Sequence, residues 1–182
     1  MRVLTICGSL PSGSLNLAVL EAVRHLAPYS VEVVSFTGMG ELPHFNPDLE
    51  AAGLPAGAAN LRAQVSQADA LLISSPEYAH GMPGSLKNLL DWLVGDETFA
   101  GKPVALVNTS PRATHAQAQL AEVLTTMSAR LVSTACVTLP LLARPLDAAG
   151  IIRDAGLSAT LRDALKALAC FIGEIEARET AK

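Results

Sequence analysis

The segment 70–93 reads Ala-Leu-Leu-Ile-Ser-Ser-Pro-Glu-Tyr-Ala-His-Gly-Met-Pro-Gly-Ser-Leu-Lys-Asn-Leu-Leu-Asp-Trp-Leu. Its first four residues form an apolar run that predicts a buried strand, and leucines recur at helical spacing from Leu86 to Leu93. The loop between strand and helix is stiffened by proline and glycine near both of its ends. Ligands of open parallel sheets bind at the carboxyl ends of strands, so this loop predicts a site for a flat molecule.

The composition favours one globular domain spanning 1–182. Half of the 182 residues are hydrophobic, only 4% are aromatic, and this length buries enough surface to need no disulfide or metal. The net charge of −4 and the absence of any Lys/Arg cluster argue against a nucleic acid or an anionic membrane as partner. No cationic leader precedes the first apolar strand and no apolar run could span a bilayer, which predicts a cytoplasmic protein.

The three cysteines are widely separated, and neither a CxxC pair nor a Cys/His cluster occurs. This pattern predicts neither a zinc site nor an iron–sulfur cluster, and each cysteine is expected to be a small buried apolar residue. The four histidines have no ligand spacing, so no metal ion is expected.

Short apolar runs alternate with stretches of helical periodicity along the chain. The predicted strands are 3–7, 31–36, 70–74, 104–108 and 131–139. Apolar residues at helical spacing mark helices within 19–26, 61–65, 86–93, 120–127 and 161–172. Segment 38–57 is expected to be an irregular connection, and residues 177–182 are expected to fray. The alternation predicts an α/β, flavodoxin-like three-layer sandwich: a five-stranded parallel sheet in the order 2-1-3-4-5 with helices on both faces.

The loop after the first strand reads Gly8-Ser9-Leu10-Pro11-Ser12-Gly13-Ser14-Leu15-Asn16. A loop of small residues that opens a helix offers backbone N–H groups and a helix dipole to a phosphate, and Ser14 is placed to cap that helix. The lysine of a Walker A loop, the glycines of a dinucleotide fingerprint and the arginine of a cysteine phosphatase loop are all missing. A phosphate here would be held by neutral hydrogen bonds.

Glu77 and Tyr78 follow the third strand, and Ser110 and Arg112 follow the fourth. Tyr78 is suited to stack on a planar ring, whereas Glu77 either caps a neighbouring element or anchors a subunit contact. His80 is expected to be an exposed loop residue near the ligand and not a catalytic base. Arg112 either meets the phosphate of a second nucleotide or is a solvated surface residue. Thr114 and Gln117 fit a capping box for the following helix.

Together these motifs resemble the NADPH-dependent FMN reductase family, which includes quinone, azo-dye and chromate reductases. The resemblance covers most of the chain. It rests on Gly8-Ser9, Ser14 and Asn16; on Leu42-Pro43 and Asn46-Pro47-Asp48-Leu49-Glu50; and on Pro76-Glu77-Tyr78, Pro83-Gly84, Leu86-Lys87-Asn88 and Asp91-Trp92.

The resemblance implies FMN as the cofactor, with NADPH or NADH as the co-substrate. It places the phosphate at Ser9, Ser14, Leu15 and Asn16. It places the isoalloxazine ring against Pro76, Glu77, Tyr78, Ala79, His80 and Gly81, and against the loop after the fourth strand at Ser110. It also implies a homodimer or homotetramer with the flavin near a subunit interface.

Three departures from the family pattern change the expected site. The loop after the fourth strand is usually richer in glycine, and Pro111, Ala113 and Thr114 make it stiffer and bulkier here. Pro11 replaces an arginine, which removes a charge-assisted hydrogen bond worth about 1.5–3 kcal/mol. Ala79 replaces the asparagine that usually follows Pro-Glu-Tyr.

The predicted function is an FMN oxidoreductase that passes hydride from a reduced nicotinamide to a small electron acceptor: a quinone, an azo compound, a metal oxyanion or free flavin. No side chain is assigned as a general acid or base, since the cofactor carries the chemistry. Two alternatives stay open. The chain is either an FMN-binding electron carrier that NAD(P)H does not reduce directly, or a family member without flavin.

Overall fold

The computed structural model describes residues 1–180 and contains one parallel sheet at its centre. Its strands are β1 (Arg2–Cys7), β2 (Glu32–Ser35), β3 (Ala70–Ser74), β4 (Pro103–Asn108), β5 (Arg130–Leu131) and β6 (Val137–Thr138). The strand order is β2-β1-β3-β4-β5, as predicted from the sequence, and β6 also pairs with β4. In the register, Val3 lies beside Ala70 and Leu71 beside Val104.

The single fifth strand expected over residues 131–139 is divided in two. A 3-10 turn at Ser133–Ala135 separates β5 from β6, and both short strands pair with β4. At the break, the backbone N–H of Leu106 in β4 donates to the Cys136 Sγ at 3.3 Å. The thiol therefore takes the place of the backbone acceptor that an unbroken strand would present.

Helices cover both faces of the sheet, in agreement with the predicted sandwich. They are α1 (Leu15–Leu26), α2 (Pro47–Ala52), α3 (Ala56–Gln67), α4 (Gly84–Asp91), α5 (Thr114–Thr126), α6 (Ala148–Arg153) and α7 (Ala155–Thr180). Leu4, Leu71 and Leu106 of the sheet pack against the face covered by α3, α4 and α5. Val3, Leu72 and Val107 pack against the face covered by α1, α6 and α7. Successive residues of a strand thus pack into the hydrophobic cores on opposite faces of the sheet, as expected where helices cover both faces.

The segment 38–57 is more regular than expected. It contains a 3-10 turn at Met39–Glu41, the short helix α2 and the beginning of α3. Helix α2 buries none of its residues, so it leaves no apolar periodicity in the sequence. Its beginning is marked by Asn46, whose side chain accepts from the Asp48 N–H, followed by Pro47.

Two residues of the family resemblance, Asn88 and Trp92, hold this segment to α4. The Asn88 side chain accepts from the Phe45 N–H at 2.7 Å and donates to the Pro43 carbonyl at 3.0 Å. The indole N–H of Trp92 also donates to the Pro43 carbonyl, at 2.8 Å, and the Trp92 side chain is fully buried. Asn88 and Trp92 therefore have a packing role, which confirms the expectation for Trp92.

Two further expectations concern the carboxyl terminus and the cysteines. Helix α7 continues to Thr180, so the expected fraying is wrong for 177–180, and its remainder at 181–182 lies outside the described residues. Cys7 and Cys136 are half-buried, but Cys170 is exposed on α7, contrary to expectation. No helix within residues 1–180 is long and apolar enough to cross a bilayer.

Candidate functional site

Three loops meet at the carboxyl ends of β1, β3 and β4: the first loop (8–14), the second loop (75–83) and the third loop (109–113). The second loop, the third loop and the beginning of α1, which follows the first loop, surround a cavity of about 370 Å³. It is lined by Leu15, Asn16, Ser75, Pro76, Glu77, Tyr78, Thr109, Ser110, Arg112, Ala113 and Leu142. The chain leaves β1 and β3 toward opposite faces of the sheet, so the cavity lies beside the topological switch point.

Asn16, at the beginning of α1, is hydrogen-bonded to residues at the carboxyl ends of β3 and β4. Its buried amide oxygen lies 2.9 Å from the Ser74 Oγ and 3.3 Å from the Thr109 Oγ1. The Ser74 hydroxyl also lies 2.8 Å from the Val107 carbonyl. The single Ser74 proton is therefore shared between two acceptors, the Asn16 amide oxygen and the Val107 carbonyl. This network leaves the Asn16 Nδ2 donor on the cavity side without an acceptor in the described part of the chain.

Gly8 lets the first and second loops come into direct contact. A Cβ atom at this position would lie 2.7 Å from the Ser75 Oγ and 3.0 Å from a Leu86 methyl carbon. The first distance is far inside van der Waals contact, so any side chain would push the first loop away from the second. The glycine is thus required by the close approach of two site loops.

The second loop makes a tight turn at Tyr78. The Tyr78 and Gly81 backbones exchange two hydrogen bonds, at 2.9 and 3.0 Å. Between them, Ala79 and His80 have φ values of 49° and 61°. Positive φ at both central residues is the pattern of a type I′ turn, and it costs about 1 kcal/mol or more for a residue with a Cβ. The turn presents Tyr78 half-exposed at the cavity mouth.

Three contacts attach the second loop to α5. Glu77 Oε2 accepts from the Ala116 N–H at 2.9 Å, and Gln119 Oε1 accepts from the Met82 N–H at 2.8 Å. The His80 and His115 rings stack with a centroid separation of 4.4 Å. The first contact corrects the predicted capping box. Helix α5 has no local side-chain cap, and its third N–H is capped instead by Glu77, 39 residues earlier.

The third loop is organised by Asn108, at the end of β4. The buried Asn108 amide accepts from the Ser110 N–H at 3.0 Å and donates to the Ala113 carbonyl at 3.2 Å. These bonds hold residues 110–113 as a turn. Arg112, at its tip, is exposed, lines the cavity and forms no ion pair within residues 1–180.

The cavity gathers seven of the twelve residues predicted for cofactor binding. These seven are Leu15, Asn16, Pro76, Glu77, Tyr78, Ser110 and Arg112. Ser14 instead lines a neighbouring groove of about 300 Å³ that shares Leu15 with the cavity. Ser14 also accepts from the Asn16 N–H, so its predicted role as a helix cap is confirmed.

The other four predicted residues lie near the cavity without lining it. The Ser9 carbonyl accepts from the Cys7 thiol at 3.3 Å, and Ala79, His80 and Gly81 form the turn beyond Tyr78. Burial raises the pKa of the Cys7 thiol above its ordinary value, which keeps it a neutral donor to the first loop. Among the described residues no group of three or more His, Cys, Asp or Glu side chains is placed to hold a metal ion.

Sequence reasoning missed four lining residues: Ser75, Thr109, Ala113 and Leu142. The first three adjoin residues that were predicted, so extending each loop by one residue would have found them. Leu142 follows β6 in an otherwise unremarked segment, and no sequence signal connects it to the three loops.

A parallel sheet in the order 2-1-3-4-5, covered on both faces and with a cavity at the switch point, defines a flavodoxin-like α/β protein. The family model for NADPH-dependent FMN reductase matches residues 1–141. The chain belongs to the NADPH-dependent FMN reductase family.

Individual relatives agree with this assignment. The chain is 40% identical over 113 residues to a quinone reductase of Escherichia coli (strain K12). It is also 40% identical over 114 residues to an NAD(P)H-dependent FMN reductase of Pseudomonas aeruginosa. Each match spans 60% of this chain and only 60% of the length of the curated relative.

Among solved structures, the flavoenzyme NAD(P)H:acceptor oxidoreductase FerB of Paracoccus denitrificans superposes with a TM-score of 0.84 and 30% identity. That alignment covers 95% of this chain and 97% of FerB. A flavodoxin of Pseudomonas aeruginosa, 18% identical with a TM-score of 0.53, shares the fold alone.

Proposed function

We propose that this chain is an NAD(P)H-dependent FMN oxidoreductase that reduces a small acceptor: a quinone, an azo compound, a metal oxyanion or free flavin. The observation that carries the proposal is the cavity at the switch point, where Pro76, Glu77 and Tyr78 form one wall and Ser110 another. Its apolar wall and few polar groups suit a flat heterocycle. Family membership supports the same cofactor.

The phosphate end of FMN fits the first loop. The backbone N–H groups of Ser12, Gly13 and Leu15 find no acceptor within residues 1–180, and they lie at the amino end of α1. Unpaired N–H groups at a helix amino end attract a phosphate without any cation. We assign phosphate contacts to Ser9, Ser14, Leu15 and Asn16, as the family resemblance implies.

The ring end fits the second and third loops. Tyr78 is half-exposed at the cavity mouth, and Ser75 and Pro76, at the beginning of the second loop, also line the cavity. The segment from Pro76 to Gly81 is assigned to hold the isoalloxazine, with Ser110 opposite. The exposed, unpaired guanidinium of Arg112 is assigned to the phosphate of the reduced nicotinamide nucleotide.

Bound FMN would supply the hydride chemistry between nicotinamide and acceptor. The residues of the chain orient the two reactants and shape the mouth of the cavity, and none is required to transfer a proton. Glu77 is committed to the Ala116 N–H and is therefore assigned a positioning role.

Reduction under anaerobic conditions tests the function directly. The purified chain is mixed with FMN, its visible spectrum is recorded, and NADPH or NADH is then added without oxygen. We expect a perturbed flavin spectrum that bleaches on addition of the nucleotide and returns on addition of a quinone. Failure to bind FMN would support the flavin-free alternative, and bound flavin that stays oxidised would support the electron carrier.

The first loop offers a second test. Pro11 is exposed, so an arginine at this position has room to reach a phosphate. The Pro11 carbonyl accepts from the Ser14 N–H at 3.2 Å, a backbone bond that the substitution keeps. Pro11→Arg is expected to tighten FMN binding by about tenfold or more, because it adds a charge-assisted hydrogen bond. Pro28→Arg, in the exposed turn after α1, is the matched control. Unchanged affinity in Pro11→Arg would contradict the assignment of the phosphate.

The proposal also covers organisation and location. We expect residues 1–182 to act as one FMN-binding domain, assembled as a homodimer or homotetramer, in the cytoplasm where NAD(P)H is supplied. Light scattering coupled to size-exclusion chromatography measures the assembly. A monomer at all concentrations would contradict that part of the proposal.

A further inference from the structure

The segment 140–147, called here the strap, crosses beside the cavity after β6. The match to the family model ends at residue 141, so the strap lies almost entirely beyond the part of the chain that the family defines. It nevertheless contributes Leu142 to the lining of the cavity. The strap is therefore a part of the cavity wall that the family model does not describe.

Hydrogen bonds at Leu141 and an ion pair at Arg144 hold the strap in place. The buried Leu141 donates its N–H to the Thr109 carbonyl of the third loop at 3.2 Å. A turn follows, in which the Arg144 N–H donates to the Leu141 carbonyl at 3.1 Å. The Arg144 guanidinium then pairs with the Asp154 carboxylate at 3.0 Å. Leu142 stands within this turn, on a backbone tied to the third loop and to the beginning of α7.

Leu142 is a large aliphatic side chain that lines a cavity and yet is 51% exposed. Tyr78, on the same cavity, is 54% exposed. A single exposed leucine needs no explanation, but two large, half-exposed apolar side chains that line one cavity suit an apolar ligand. Arg112 is the charged counterpart at this mouth and is suited to an anionic nucleotide.

We propose that Leu142 is a specificity-determining residue that favours flat apolar acceptors of the quinone type over small anionic acceptors. The inference rests on the proposed function, since it concerns the second substrate of that reaction. An apolar ring entering the mouth covers the exposed part of Leu142 and removes its surface from water. A compact anion gains nothing from that contact.

The test compares two acceptors on the FMN-loaded protein at saturating NADPH: a 1,4-naphthoquinone and ferricyanide. In a ping-pong cycle, kcat/KM for the acceptor reports only its own half-reaction, so effects on nucleotide binding cancel in the ratio of the two values. Leu142→Ser is expected to lower the ratio of naphthoquinone to ferricyanide by about fivefold to tenfold. Leu142→Met, which keeps the apolar surface, is expected to preserve it.

Leu49→Ser is the matched control, because Leu49 is also exposed but lies on α2, away from the cavity. It should leave the ratio unchanged. Three results would overturn the inference: an unchanged ratio in Leu142→Ser, an equal loss in Leu142→Met, or a smaller assembly in Leu142→Ser, which would assign Leu142 to a subunit contact. Wild-type protein that reduces neither acceptor would contradict the proposed function, and this inference with it.

Discussion

The carboxylate of Glu77 in the second loop caps the backbone N–H of Ala116 in the first turn of α5, at 2.9 Å. This one side chain joins the second loop, which follows β3, to α5, which follows β4. The stacked rings of His80 and His115 and the bond from Met82 to Gln119 reinforce the same junction. Three contacts thus hold the second loop and the beginning of α5 in a fixed relative position.

Removing the Glu77 carboxylate should therefore destabilise the protein at some distance from its own loop. Glu77→Ala is expected to lower the free energy of unfolding by about 1–2 kcal/mol, because it leaves a helix N–H without its cap. Glu77→Gln keeps an acceptor oxygen and should lose less. Chemical denaturation measures both, with Glu122→Ala on the exposed side of α5 as control. Equal effects in Glu77→Ala and Glu122→Ala would contradict the capping role.

The tight turn after Tyr78 stores strain that substitution can relieve. Ala79 has φ of 49°, a conformation that glycine and asparagine adopt more readily than alanine. Ala79→Gly and Ala79→Asn are each expected to raise the free energy of unfolding by about 0.5–1 kcal/mol.

The control for this turn is Ala63→Gly, in the exposed middle of α3, which should instead lower the free energy of unfolding by about 0.5–1 kcal/mol. Thermal and urea unfolding measure both changes. A loss of stability in Ala79→Gly would show that the turn does not hold this conformation in solution.

Cys136 is expected to matter for stability although it makes no disulfide. Burial raises the pKa of its thiol, so the sulfur is neutral when it accepts from the Leu106 N–H. Cys136→Ala leaves that N–H unpaired and should cost about 1–3 kcal/mol of unfolding free energy, whereas Cys136→Ser keeps an acceptor and should cost less. Cys170→Ala removes an exposed thiol and serves as control. Indistinguishable midpoints for the two alanine variants would refute this role.

The beginning of α7 should make stability depend on acid pH. The Leu157 N–H, together with the Arg144 guanidinium and the Gly156 N–H, holds the pKa of Asp154 below its ordinary value of 3.8. A carboxyl with a lowered folded-state pKa stabilises the fold above its unfolded value, and that contribution is lost as the pH falls through the folded value.

Asp154→Asn should therefore be less stable than wild type at pH 6, and the difference should shrink as the pH falls below 3.8. Unfolding curves recorded from pH 6 to pH 2.5 measure the difference. Asp163→Asn, on the exposed side of α7, is the control. A difference that stays constant across this range would exclude the carboxylate as its source.

The sheet and most of the cavity could be predicted because they depend on local patterns. Buried parallel strands give nearly continuous apolar runs, as 70–73 and 104–107 do, and parallel strands bring their carboxyl ends to one edge. Ser14 was recognised as a cap because its partner, Asn16, is two residues away.

The remaining features depend on contacts between distant segments. The cap of α5 comes from Glu77. Asn88 holds the segment that precedes α2, and the ion pair between Glu50 and Arg62 joins α2 to α3. Neither arrangement leaves a periodic signal. Leu142 lines the cavity next to Leu141, whose N–H donates to the Thr109 carbonyl and so joins segments 32 residues apart in the chain.

The division of the last strand also affects what the molecule can do in a crowded solution. A long, flat strand at the border of a sheet exposes a row of unpaired N–H and C=O groups to which a foreign chain can add. Here that border consists of two strands of two residues each, interrupted by a 3-10 turn. A second molecule would find no continuous template there, so this border is protected against edge-to-edge aggregation.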